Sequence, residues 1–159
     1  MPKAKLHLTR CWSERLRRDD LLGMTSTLKP EAHIALAGIL NEFISSINAH
    51  DPKRIISLCS GDHIFIDSLG CRISGLERLD QAWVGYFSLF PDYHIDLEAV
   101  ASQKRVILAC GFASATHAAS KKSWRIPAAW RAVVKKGRIS EWQVYADNKP
   151  VYEVLSEEA

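Results

Sequence analysis

The C-terminal half of the chain holds four successive strand-like runs, residues 93–101, 105–117, 123–134 and 138–147. Each has the length and the apolar alternation of a half-buried strand. Lys135, Lys136 and Gly137 supply a tight hairpin between the last two runs, and Gln103 with Lys104 a turn between the first two. Strands joined by turns this short must pair antiparallel with their neighbours. An antiparallel sheet buries one face and needs something to cover it.

The cover is written in the N-terminal half. Residues 30–49 predict a helix, with Pro30 at its first position and Leu36, Ile39, Leu40, Phe43, Ile44 and Ile47 as its apolar stripe. His50, Asp51 and Pro52 end it, and Pro52 opens a short second helix to about Leu58. Residues 63–67 predict a strand with His63, Phe65 and Asp67 on one face and Ile64 and Ile66 on the other. Residues 68–72 then form a loop around Gly70. Ser74 reads as the cap of a third helix, with Glu77 completing a capping box. That helix carries Leu76, Leu79, Trp83, Tyr86, Phe87 and Phe90, and Pro91 ends it. The expected architecture is α+β, with three N-terminal helices on one face of an antiparallel sheet.

The chain of 159 residues is long enough for one domain with a sizeable core. Its charge is uneven. Residues 1–29 carry 7 basic and 3 acidic side chains, and the remaining 14 basic against 15 acidic leave the rest near neutral. That balance argues against a nucleic-acid footprint. Residues 1–28 read as a basic, disordered tail and residues 29–159 as the domain. The tail lacks an apolar core of signal-peptide length, and no stretch approaches a membrane span, so neither secretion nor a membrane partner is expected. Cys11, Cys59, Cys71 and Cys110 show no metal-ligand or disulfide spacing and read as free thiols of a reducing cytoplasm. Neither a Gly-rich phosphate loop nor a metal cluster is present in the sequence, so no cofactor and no metal are expected.

The order of elements, with INAHDP at 47–52, Gly75 and Phe90-Pro91-Asp92, and GRISEWQVYADN at 137–148, resembles the SnoaL-like, polyketide cyclase-like branch of the nuclear transport factor 2-like superfamily. The resemblance covers residues 31–155. It implies a cystatin-like, cone-shaped curved sheet closed by helices around an apolar cavity, in a homodimer. Isomerases, cyclases, dehydratases and non-catalytic binding modules share that fold, so the fold leaves function open.

The resemblance places Asp67 where ketosteroid isomerases keep their basic aspartate, and Asp147 where polyketide cyclases keep a carboxylate. Phe43 and about Ala128 stand where the isomerases place oxyanion donors. Neither side chain donates a hydrogen bond, which argues against steroid isomerisation by that route. Asp67, Asp147 and His117 are therefore the catalytic candidates. Asp67 has the competing role of capping its own turn. His63 stands about 13 Å from Asp67 along the strand, too far for a dyad. His117 ends a strand of small residues, Ala109, Gly111, Ala113 and Ala115, which leave room for a ligand or a helix. Phe43, Phe65, Trp83, Tyr86, Phe87, Trp130 and Tyr145 are the candidate ligand-contacting residues. The expected ligand is a small apolar or aromatic molecule. The dimer is expected through an outer sheet face carrying Trp142, Val144, Arg131 and Val133. An acid/base enzyme and a non-catalytic binding module both remain open.

Overall fold

Helix α1 (Pro30–Asn48) presents Leu36, Leu40, Phe43, Ile44 and Ile47 as one buried stripe. The computed structural model describes residues 30–156; the N-terminal tail expected at residues 1–28 lies outside them, as does Cys11. Asp51 accepts a bond from the Arg54 amide at 3.0 Å and caps α2 (Pro52–Leu58), whose first residue is a proline that needs no donor partner. β1 (Cys59–Ile66) and β2 (Arg72–Ser74) follow, then α3 (Leu76–Leu89). The strands β3 (His94–Gln103), β4 (Val106–Thr116), β5 (Ser123–Lys135) and β6 (Arg138–Ala146) fill the second half. α4 (Lys149–Ser156) closes the described chain.

The six strands form one curved sheet in the order β2-β1-β6-β5-β4-β3. β3 to β6 are an antiparallel meander, as their turns require. Lys136 and Gly137 both have positive φ, 49° and 75°, the signature of a two-residue hairpin turn. β1 lies parallel to β6, so the sheet is mixed, not wholly antiparallel. Parallel pairing needs a long crossover. Here one helix and four strands, β2, α3, β3, β4 and β5, separate the strands that meet.

Two local expectations are corrected. Ser74 pairs with Ile64 as the last residue of β2 and does not cap α3. Gly75 takes the cap position at φ 91°, a conformation suited to glycine, and no side chain closes a capping box. Among the described residues the helix count also rises to four, because α4 packs Val151 and Val154 into the core from the C-terminal side.

The helices and the inner sheet face share one core. Register sets its rows: Ile107, Ala132 and Trp142 lie abreast, then Ala109, Trp130 and Val144, then Gly111, Ala128 and Ala146. The first rows are filled by tryptophan, with Trp130 and Trp142 both 1% exposed. The third row is nearly bare of side chains. At Gly111 a Cβ would stand 2.0 Å from the Asp96 carbonyl oxygen, where β3 bulges between Leu97 and Ala99. That close approach admits only glycine.

Candidate active site: an apolar cavity with one carboxylate

The bare row leaves space that the helices do not fill. A cavity of about 350 Å³ lies between α3, α4 and the inner sheet face. Ala113, Ala128 and Ala146 contribute small side chains to its sheet wall, with Trp124, Ile126, Trp142 and Val144 around them. α3 supplies Leu79, Trp83, Tyr86 and Leu89 from one helical face. Val151, Tyr152 and Leu155 of α4 close another side.

Aromatic rings dominate the wall. Trp83 stands edge-on to Tyr86 and to Phe65, at centroid distances of 6.3 Å and 6.4 Å. Tyr86 meets Tyr93 edge to face at 5.0 Å, and Tyr93 lies 6.1 Å from Trp124. The NAHDP segment fixes this corner. The Asn48 side chain donates to the Ile95 carbonyl at 2.9 Å and accepts from the Ile95 amide at 2.8 Å. His50 Nε2 lies 2.8 Å from the Tyr93 carbonyl oxygen and donates to it in the Nε2-protonated tautomer. The end of α1 is thereby tied to the stretch that carries Tyr93.

Asp67 follows β1 and is the only charged side chain in the cavity lining among the described residues. Its Oδ1 accepts from the amides of Leu69 and Cys71, at 2.9 Å and 2.8 Å. The turn-capping role is therefore present. Oδ2 has no hydrogen bond among the described residues. Asn148, two residues beyond β6, lines the cavity and donates to Ser68 Oγ at 2.7 Å, joining the ends of β6 and β1.

The other sequence candidates divide sharply. Asp147 is exposed, lies outside the cavity and accepts from the Lys149 amide at 3.0 Å at the start of α4. Strand alternation gives the reason: Trp142, Val144 and Ala146 face inward, so Asp147 shares the outer side with Tyr145, which is 47% exposed. Trp142 and Val144 are therefore cavity wall and not part of an outer face. His117 is buried, but beside the cavity. Its Nδ1 lies 3.0 Å from Ser120 Oγ, its backbone holds the β4–β5 turn, and its ring packs against Phe90. Phe65, Trp83 and Tyr86 line the cavity. Phe43, Phe87 and Trp130 stand one layer behind it: Phe43 against Trp142 at 5.1 Å, Phe87 stacked on Trp83 at 5.2 Å, and Trp130 stacked on Trp142 at 6.3 Å.

Sequence reasoning missed Tyr93, Asn148 and the α4 side chains as wall residues. Tyr93 lies between two elements, where no period marks its face. The signal for Asn148 was available, since it continues the alternation of Trp142, Val144 and Ala146. Among the described residues no group of three or more His, Cys, Asp or Glu side chains is placed to hold a metal ion, and no helix is long and apolar enough to cross a membrane.

A mixed sheet wrapped by helices around an apolar cavity is the architecture of nuclear transport factor 2-like and cystatin-fold proteins. The sequence matches the SnoaL-like domain family over residues 40–142, more than half of the chain, and the protein belongs to that family. No curated protein matches the chain. Among solved structures it resembles a protein described as a SnoaL-like polyketide cyclase from Shewanella denitrificans OS-217. The TM-score is 0.69 at 12% identity, over 81% of this chain and 99% of that one. A nuclear transport factor 2-like protein from Burkholderia xenovorans LB400 aligns with TM-score 0.65 at 16% identity, over 76% and 95% of the two chains. TerC, co-crystallised with polyporic acid, aligns with TM-score 0.68 at 9% identity, over 77% and 98%. Likeness at these identities establishes the fold alone.

Proposed function

We propose that the chain is a small-molecule pocket protein whose cavity takes a flat apolar or aromatic compound, and that Asp67 exchanges a proton with it. Isomerisation, cyclisation and dehydration all need such a group. One observation carries the reading: the only carboxylate in an otherwise neutral, aromatic cavity is tethered through Oδ1 and has Oδ2 unpartnered among the described residues. The tether fixes the carboxylate plane, which is what a positioned base needs. Family membership supports the pocket, as does a structural neighbour, TerC, that was co-crystallised with polyporic acid.

A second reading has its own support. Phe43 and Ala128 offer no donors at the places where the isomerases keep them, and turn capping alone accounts for Asp67. A non-catalytic binding module fits these facts.

Asp67→Asn separates the two. Asparagine retains an oxygen for the Leu69 and Cys71 amides and removes the basicity. For a base, turnover of an accepted ketone, epoxide or polyketide-like substrate falls about 100-fold or more with binding nearly intact. Full turnover in the variant excludes proton transfer by Asp67. If several candidate compounds bind and none is turned over by the unaltered chain, the binding module is the correct reading.

A further inference from the structure

The cavity is rich in donors that the protein leaves unmet. Tyr86 and Tyr93 both line it, with rings 5.0 Å apart. Neither hydroxyl is hydrogen-bonded among the described residues. Burial raises both phenols well above their ordinary range, and Tyr86 adds to the rise at Tyr93, so each remains a protonated donor. Trp83 and Trp124 line the same cavity, and the Nε1 of each is buried without an acceptor. An indole N–H can only donate. A buried polar group left unpaired is costly, and native structures contain few of them. The indole nitrogens are sealed from the cavity space, so the two unbonded phenol hydroxyls are the donors left for an acceptor that arrives from outside. The charge balance narrows the class further. Among the described residues no Lys, Arg or His lines the cavity, and Asp67 repels anions.

We infer that this cavity selects a neutral ligand through an acceptor oxygen, the carbonyl of a ketone, quinone or lactone, held by the hydroxyls of Tyr86 and Tyr93. The inference rests on the reading of the cavity as the ligand site. These two tyrosines supply the polar recognition that Phe43 and Ala128 lack. Aromatic walls with one carboxylate would also suit an organic cation. A cation, however, leaves both hydroxyls unmet, so the carbonyl class is favoured.

Three matched probes test this on the full chain by isothermal titration calorimetry: methyl naphthyl ketone, its isopropenyl counterpart with CH₂ in place of oxygen, and naphthylethylamine. The ketone should bind about tenfold or more tighter than the alkene. Tyr86→Phe and Tyr93→Phe should each reduce that preference, and the double variant should abolish it. Alkene affinity should stay constant throughout, which shows the cavity intact. Equal binding of ketone and alkene by the unaltered chain overturns the inference while leaving the cavity as a ligand site. A preference that survives the double variant, or tightest binding by the amine, does the same. If none of the three binds, the inference and the pocket reading both fall.

Discussion

His63 is 2% exposed and its Nδ1–H donates to the Ile139 carbonyl at 2.8 Å. Burial holds its pKa below 6.5, partly offset by that bond and by Asp62. The folded chain thus prefers the neutral ring, and the unfolded chain binds the extra proton. Stability is full above the unfolded pKa and falls as the pH drops from 6.5 towards the folded value. The thermal midpoint should decline through that acid window, and His63→Gln, which keeps a donor, should flatten the decline. A variant whose midpoint tracks the parent at every pH would remove His63 from the account. The cavity offers a second test at this scale. Ala128 lies in the bare row, so Ala128→Leu should fill the void, weaken ligand binding more than tenfold, and cost about 1–3 kcal/mol if the wall must shift. Unchanged affinity with unchanged stability would mean the cavity is not the binding site. Residue roles were only half legible in the sequence. Asp67 and Asp147 read alike as acids at strand ends, yet only Asp67 lines the cavity. The deciding fact is which face of β6 meets the helices. Trp142, Val144 and Ala146 against Gln143 and Tyr145 already carried that answer, because the more apolar set belongs inside.

At the scale of elements, α1, α2 and α3 were legible because their stripes and prolines are local signals. The meander was legible because its turns are short. β2 has three residues, too few for a period, and α4 has eight. The parallel pairing of β1 with β6 joins residues such as Phe65 and Trp142, which no local pattern links. Long-range ties of this kind are nonetheless what position the site. Removing the Asn48 side chain strips both the Ile95 amide and carbonyl of their partner. Asn48→Ala should therefore cost about 2 kcal/mol in denaturant unfolding, the size of a partly buried polar group left unpaired. Because this tie anchors the stretch bearing Tyr93, ligand affinity should fall with it; an unaltered midpoint would show that the latch is redundant. α4 acts differently. Tyr152 and Leu155 line the cavity, but Tyr152 is 45% exposed and Leu155 only partly buried. Their joint replacement by Ala should open one wall, accelerating ligand dissociation while leaving the fold's cooperative unfolding in place. Stopped-flow release rates equal to those of the parent would contradict a closing role for α4.

For the whole molecule the outer sheet face is the remaining large feature, and a homodimer through it is the assembly we expect. With Trp142 and Val144 assigned to the cavity, that face consists of other residues. Cys110, Ala129 and Tyr145 lie abreast across β4, β5 and β6, beside the row of Leu108, Arg131 and Gln143. Leu108 is 54% exposed and Tyr145 47%, a hydrophobic strip that a lone chain would leave wet. Arg131 pairs with Glu141 at the next register position, and the Arg125 guanidinium lies 3.4 Å over the Phe112 ring, so charges of both signs border the strip. A two-fold interface places one patch against itself, and an apolar strip bordered by both signs is suited to that. The face and the cavity occupy opposite sides of the same sheet. Leu108→Glu with Tyr145→Lys should therefore abolish the dimer without closing the cavity. Light scattering should give twice the 17.9 kDa chain mass for the parent and the single mass for the double variant, with ligand affinity retained within about twofold. A parent that is monomeric at micromolar concentration would refute the dimer. A dimeric variant would place the interface elsewhere, and a monomer that has lost its ligand affinity would show that the two sides of the sheet are coupled.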